Sequence, residues 1–208
     1  RLGNFEEPLD VKHYESIGTM ERALSMHATE AYDELDQLLK EHCESLFKTL
    51  TEKGGDNRGV RHPSSIKEIA EIAQSDTEEM KQIIEVFRAP GRSFLTPAYP
   101  FPLNDDTVID ISHESLMRIW DRLRYWVDEE ANAVQMYIKL SDSAELYQEG
   151  KTSLWRMPDL QLALNWREKK KPTLAWAQRH HPAFERTMVY LLSSEKPFLA
   201  EEENKLRN

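Results

Sequence analysis

A single cysteine, Cys43, stands among the 208 residues. That excludes an internal disulfide framework and any four-thiolate zinc site, and it fits a reducing, cytoplasmic compartment. Glycine is also scarce, at seven residues, which favours regular structure over loops. No long apolar run occurs and the mean hydropathy is −0.68, so a transmembrane helix is not expected. The charged start Arg1-Leu2-Gly3-Asn4-Phe5-Glu6 does not read as a signal peptide. Basic residues are outnumbered, 27 against 37 acidic ones, giving a formal charge of −10 and a pI near 5.3. Such a chain has no general attraction to phosphate backbones or anionic lipid, so a nucleic-acid role would need a local basic patch. The opening lacks methionine and the sequence closes on Glu201-Glu202-Glu203-Asn204-Lys205-Leu206-Arg207-Asn208. The expectation is a piece of a longer protein.

What is present is helical patterning. Leu, Glu and Lys are plentiful, and apolar residues recur at spacings of three and four. Met20 to Leu35 reads as a helix with Met20, Leu24, His27, Ala31 and Leu35 on one face. Leu38, Leu39, Cys43, Leu46, Phe47 and Leu50 continue the stripe until Gly54-Gly55-Asp56-Asn57-Arg58-Gly59. That run costs too much backbone entropy to remain helical and reads as a loop. Ser65 and Glu68 form a capping-box pattern ahead of Ile66, Ile69, Ala70 and Ala73. Ser75-Asp76-Thr77 supplies a tight turn and a new cap before the stripe Met80, Ile83, Ile84 and Phe87, which Pro90-Gly91 ends.

Phe94-Leu95-Thr96 and Thr107-Val108-Ile109-Asp110-Ile111 are the convincing β-type runs, and they could pair as a hairpin across the proline-rich stretch from Pro97 to Pro102. Three helices followed by such a ribbon give the order of a winged helix-turn-helix, spanning 36–112. The expected fold is mostly α: this winged helix, a long helical segment over 113–150 and a small helical bundle over 151–195. A phase change in the apolar stripe suggests a break near Glu129-Glu130, and Gly150 should stop the long segment. Pro158, Pro172 and Pro182 suit the first turns of three short helices. Residues 196–208 read as a solvated helix, a frayed tail or a linker.

Candidate chemistry is thin. Gly54 and Gly59 have the separation of a phosphate-binding loop, yet Val60 stands where its lysine must be and Arg61 where a magnesium-holding hydroxyl is needed. The loop also leaves a helix in this reading, not a strand. His113-Glu114-Ser115-Leu116-Met117 begins like a zinc-protease motif, but Met117 replaces the second imidazole. His180-His181 precede Pro182 and diverge on any helix, so no metal is expected. The acidic helix over 75–88, with Asp76, Glu78, Glu79 and Glu85 against Lys81 and Arg88, would face phosphate unfavourably. The alternative, a winged-helix nucleic-acid-binding module, rests on the basic stretch Lys151, Arg156, Arg167, Lys169, Lys170, Lys171 and Arg179. Trp155, Trp166 and Trp176 lie among these charges and could stack bases or pack a core.

Three segments, Leu46-Phe47-Lys48-Thr49-Leu50-Thr51-Glu52-Lys53-Gly54, Phe87-Arg88-Ala89-Pro90-Gly91-Arg92-Ser93-Phe94-Leu95 and Ile109-Asp110-Ile111-Ser112-His113-Glu114-Ser115-Leu116-Met117-Arg118-Ile119-Trp120, together resemble the bacterial novel STAND NTPases, as does Leu160-Gln161-Leu162-Ala163-Leu164-Asn165-Trp166-Arg167. These are signal-transduction ATPases with numerous domains, often followed by WD40 propellers. The resemblance implies that 1–35 ends a helical subdomain and that 36–112 is the winged helix, which closes over nucleotide bound to a P-loop core lying upstream. It implies ATP or ADP and magnesium in the full-length parent and none in this fragment, which would be regulatory and not an enzyme by itself. Its partners would be the ATPase core and a downstream sensor domain, with no nucleic acid or membrane contact. Immune STAND proteins carry a Met-His-Asp motif whose histidine meets the β-phosphate of ADP. Ile111-Ser112-His113-Glu114 looks like the corresponding element, which makes His113, with Ser112 beside it, the candidate nucleotide sensor. A strand end passing into a helix start offers free amides and a positive dipole end to a phosphate. The same position suits a histidine that caps a helix or bonds within the core.

Overall fold

The computed structural model describes residues 11–54 and 58–207, so the chain's first ten residues and the loop tip Gly55-Asp56-Asn57 lie outside the described residues, as does Asn208. The chain is mostly helical. It divides after Asp128 into two compact units.

In the first unit α1 (Val11–Asp33) leads to α2 (Gln37–Thr49), whose N-cap Asp36 accepts a hydrogen bond from the Leu39 amide at 2.9 Å. The core-facing side of α1 runs through Ala28, Ala31 and, beyond its end, Leu35. His27 and Met20, expected on that face, point outward, and Leu38 does the same on α2. The small Ala28 lets α1 approach its neighbours where an imidazole would have to lose its water.

After α2 the structure departs from the sequence reading. Thr51–Lys53 (β1) pairs antiparallel with Gly59–Arg61 (β2) as a short hairpin. The glycine loop therefore leaves a strand, not the helix, and returns into a strand. Three-residue strands rich in charge carry no alternation to detect; the backbone pairing alone defines them. Gly59 is fixed by packing: a Cβ there would lie 3.0 Å from Met117 Sδ.

Ser64–Ser65 (β3) precedes α3 (Ile66–Ala73), and Ser65 Oγ accepts from the Glu68 amide at 3.2 Å, the expected cap. Gln74 takes a left-handed conformation, φ 55°, to end α3. Asp76 then caps α4 (Thr77–Arg88) through the Glu79 amide at 2.7 Å. Met80, Ile83, Ile84 and Phe87 all lie fully buried along α4. Ala89 is extended because Pro90 follows, which stops the helix.

Leu95–Thr96 (β4) and Val108–Ile111 (β5) pair antiparallel in the expected way, with Leu95 opposite Ile111. The unexpected strand is β3, which pairs with the other side of β5, so the sheet order is β3-β5-β4. Central β5 alternates buried Ile109 and Ile111 with exposed Val108 and half-buried Asp110. Its buried pair joins Phe94, Leu95, Ile69, Ile83 and Phe87 in one core, the packing that a marginal two-stranded ribbon requires.

The segment from Glu114 breaks early. A single turn, α5 (Leu116–Ile119), ends at extended Trp120, and α6 (Asp121–Gln148) then runs without interruption through Glu129-Glu130. The phase change at those glutamates coincides with the division between units, so the stripe marks a change of packing partner along one helix.

The second unit contains the later part of α6 with α7 (Asp159–Lys170), α8 (Leu174–Gln178) and α9 (Phe184–Arg207). Gly150, at φ 72°, ends α6, with the Lys151 amide donating to the Leu146 carbonyl at 2.9 Å. Tyr137, Leu140, Leu160, Trp166, Trp176 and Leu191 are among the buried residues. Ser141 and Thr187 hydroxyls meet inside at 2.9 Å. The helix after Pro182 is not short: α9 spans 24 residues and continues to Arg207. Among the described residues no helix is long and apolar enough to cross a membrane.

Candidate nucleotide-sensing site

Ser112 closes the end of β5 against the start of β4. Its amide donates to the Phe94 carbonyl at 3.0 Å and its hydroxyl donates to the Ser93 carbonyl at 2.5 Å. Arg61, from β2, braces the same strand: its guanidinium donates to an Asp110 carboxylate oxygen at 3.1 Å and to the Ile111 carbonyl at 3.3 Å. The other Asp110 oxygen accepts from the Ile111 amide at 2.7 Å. Two residues after fully buried Ile111, His113 is exposed. A fixed strand end thus projects one imidazole into solvent, and Glu114 beside it is exposed as well.

The amides expected to greet an anion are spent locally. Leu116, Met117 and Arg118 donate to the carbonyls of His113, Glu114 and Ser115 at 3.0, 3.2 and 2.9 Å. With four residues, α5 also has too few aligned peptides for a substantial dipole, and Ser115 makes no side-chain cap. The electrostatic argument drawn from a helix start therefore does not hold here. The polar side chains left exposed at this junction are the His113 ring and the Glu114 carboxylate. Ser112 is committed to Ser93, which makes it an anchor for the strand end.

Glu114 lines an open groove of about 810 Å³ with Arg58, Val60, Met117, Arg118 and Arg124, between the β1–β2 hairpin and the α5–α6 segment. Its charges are mixed, since Asp128 also borders it and pairs with Lys53 at 2.8 Å. At the base of the glycine loop the Gly54 amide donates to the Arg58 carbonyl at 2.8 Å. The strands on either side of it, β1 and β2, are antiparallel, whereas a phosphate loop leads from a strand into a helix. Among the described residues no group of three or more His, Cys, Asp or Glu is arranged to hold a metal. His181 instead accepts from the Ala183 amide at 3.2 Å, ahead of α9.

In the second unit several residues of the basic stretch meet carboxylates. Lys170 pairs with Glu130 at 2.6 Å and Arg167 with Glu195 at 2.8 Å, while Lys169 pairs with Glu129. Trp166 donates to the Ala133 carbonyl at 3.0 Å and Trp176 to Glu130, both buried. These rings are core residues with satisfied N–H groups, not exposed stacking platforms.

Sequence reasoning missed Arg61 and Ser93, the two groups that hold the β5 end. They stand 49 and 19 residues from their partners, and no spacing rule links them.

A family model described as Novel STAND NTPase 1 matches residues 3–153. The chain belongs to this family. The novel STAND NTPase match takes in all the described residues of the first unit, with Ser112 and His113, and extends into the second as far as residue 153. No curated protein and no solved structure gives a match.

Proposed function

We propose that this chain is a regulatory, non-catalytic part of a multidomain STAND-type signalling ATPase, in which a winged helix closes over nucleotide held by a P-loop core. The winged helix would comprise α2, β3, α3, α4, β4 and β5, a helix, strand, helix, helix, strand, strand order with β5 central. The observation that carries the reading is the exposure of His113 immediately after a strand end anchored through Ser112. An anchored backbone fixes the point from which the side chain projects, and an imidazole N–H can donate to a β-phosphate. In this reading ATP or ADP and magnesium are held by the core, and this chain adds one contact. A downstream sensor domain, such as WD40 repeats, and a cytoplasmic setting complete the proposal.

The test is His113→Ala in the full-length protein. Loss of a charge-assisted hydrogen bond made only in the closed state should weaken ADP retention by about 1.5–3 kcal/mol and shift the population toward the open, signalling state. Unchanged ADP affinity would end the sensor assignment. The isolated chain should neither bind nor hydrolyse ATP, and magnesium-dependent turnover by a pure sample would refute the non-catalytic assignment.

The nucleic-acid reading is less well supported. On α4 the exposed or half-exposed acids Glu78, Glu79 and Glu85 outnumber Lys81, while Arg88 is buried. A titration with duplex and single-stranded DNA at several salt concentrations should give no salt-dependent binding.

A further inference from the structure

We propose that the segment 97–107, which joins β4 to β5, together with Val108 at the start of β5, is a docking surface for a short apolar peptide segment of a protein partner flanked by basic side chains. This inference is independent of the role of His113.

The segment is held from beneath by a buried charge. Arg88, 2% exposed, donates to the Pro97 carbonyl at 2.9 Å and to the Phe101 carbonyl, while both carboxylate oxygens of Glu85 accept from its Nε and Nη2. The Phe101 amide turns back to the Ala98 carbonyl at 3.0 Å, and Pro97, Pro100 and Pro102 restrict the backbone further. On this fixed loop Tyr99 and Phe101 stand 56% and 51% exposed, and Val108, opening β5 beside them, 56%. Apolar side chains on an ordered loop bind with little further loss of conformational entropy, and aromatic residues are favoured anchors at interfaces.

Beside them lies a shallow pocket of about 580 Å³, with Pro97, Phe101 and Val108 on its apolar side and Asn104, Asp106 and Thr107 on its polar side. Asp106 is the one ionisable residue among those lining it. Among the described residues its exposed carboxylate meets no cation. Asp105, next to it, is engaged by Lys81 at 2.7 Å. An apolar side chain seated in the pocket would therefore bring a flanking Arg or Lys toward an unpaired carboxylate, whereas phosphate backbones and anionic lipid would be repelled by it.

The proposal is tested on the 208-residue chain by amide chemical-shift titration with three peptides that share a Leu-Phe centre and carry Lys-Arg, Glu-Glu or Ser-Ser flanks. Saturable shifts confined to 96–108, with the basic peptide at least ten-fold tighter than the acidic one, are expected. Phe101→Ser and Asp106→Lys, both at exposed positions, should each weaken the basic peptide at least ten-fold while leaving the rest of the spectrum in place. Absence of saturable shifts, equal response to the acidic peptide, shifts mapping elsewhere, or equivalent shifts with duplex DNA or anionic vesicles would overturn it.

Discussion

Phe47 and Trp120 meet edge to face, with ring centroids 5.2 Å apart, and this contact ties α2 to the break between α5 and α6. The Trp120 indole N–H also donates to Thr29 Oγ1 at 3.1 Å, and Trp126 packs on the same indole at 5.5 Å. Trp120 is the extended residue between two helices, so its ring fills the centre of the first unit at the point where the backbone turns.

Trp120→Ala should accordingly cost about 3–5 kcal/mol, the usual range for truncating a buried large aromatic residue. Trp120→Phe should cost less, since it retains much of the buried area and loses the bond to Thr29. Urea unfolding checks both, and an alanine variant as stable as the parent would show that this ring is not central to the core.

Arg88→Met should destabilise the first unit by about 1.5–3 kcal/mol, the range for hydrogen bonds to a charged group, because two carbonyls in the 97–101 loop lose their donor. Hydrogen exchange supplies a local readout. The Phe101 amide should exchange faster in the variant while the amides of α4 away from its end are little changed, and uniform acceleration would contradict a local role.

Glu34 and Arg92 give a pH dependence. The Arg92 guanidinium hydrogen-bonds the Glu34 carboxylate and holds its pKa below the usual carboxylate value. With the folded pKa depressed, protons bind the unfolded chain first. The stabilisation is therefore complete above the ordinary Glu value, about 4.3, and is lost as pH falls through the lowered folded value. Glu34 is half exposed, so the effect should be small and screened by salt. Glu34→Gln should show a shallower fall of the urea midpoint between pH 6 and pH 3 than the parent. Identical slopes would remove this pair from the acid response.

Cys43 should be inert while the chain is folded. It is fully buried, and removal from water pushes its thiol pKa well above the ordinary value. A thiol-specific reagent at pH 8 should label it only through unfolding, with a rate that rises with urea as stability falls. Rapid stoichiometric labelling of the native chain would overturn this.

The sequence alone determined the local decisions. Ser65 and Asp76 cap their helices as their positions next to apolar stripes require, Gly150 ends α6, and the stripe Met80, Ile83, Ile84 and Phe87 is buried throughout. Each depends on residues within about one helical turn, where side-chain chemistry and backbone preference act together. His113, too, could be placed at a strand end from its neighbours. Only the tertiary structure decided the rest. Two-residue β3 exists because Ser64 and Ser65 meet Ile109 and Val108 across the chain, and β1 exists because Thr51 to Lys53 meet Gly59 to Arg61 in antiparallel register. The helix breaks at Trp120, where burial of the indole among Phe47, Phe87 and Trp126 outweighs a continuous stripe. The tryptophans and lysines of the second unit could have faced nucleic acid on composition alone. Where Trp166, Trp176, Lys169 and Lys170 find their partners, on the Ala133 carbonyl, Glu130 and Glu129, depended on the fold, because a charge or an N–H can only be satisfied by what the fold brings beside it.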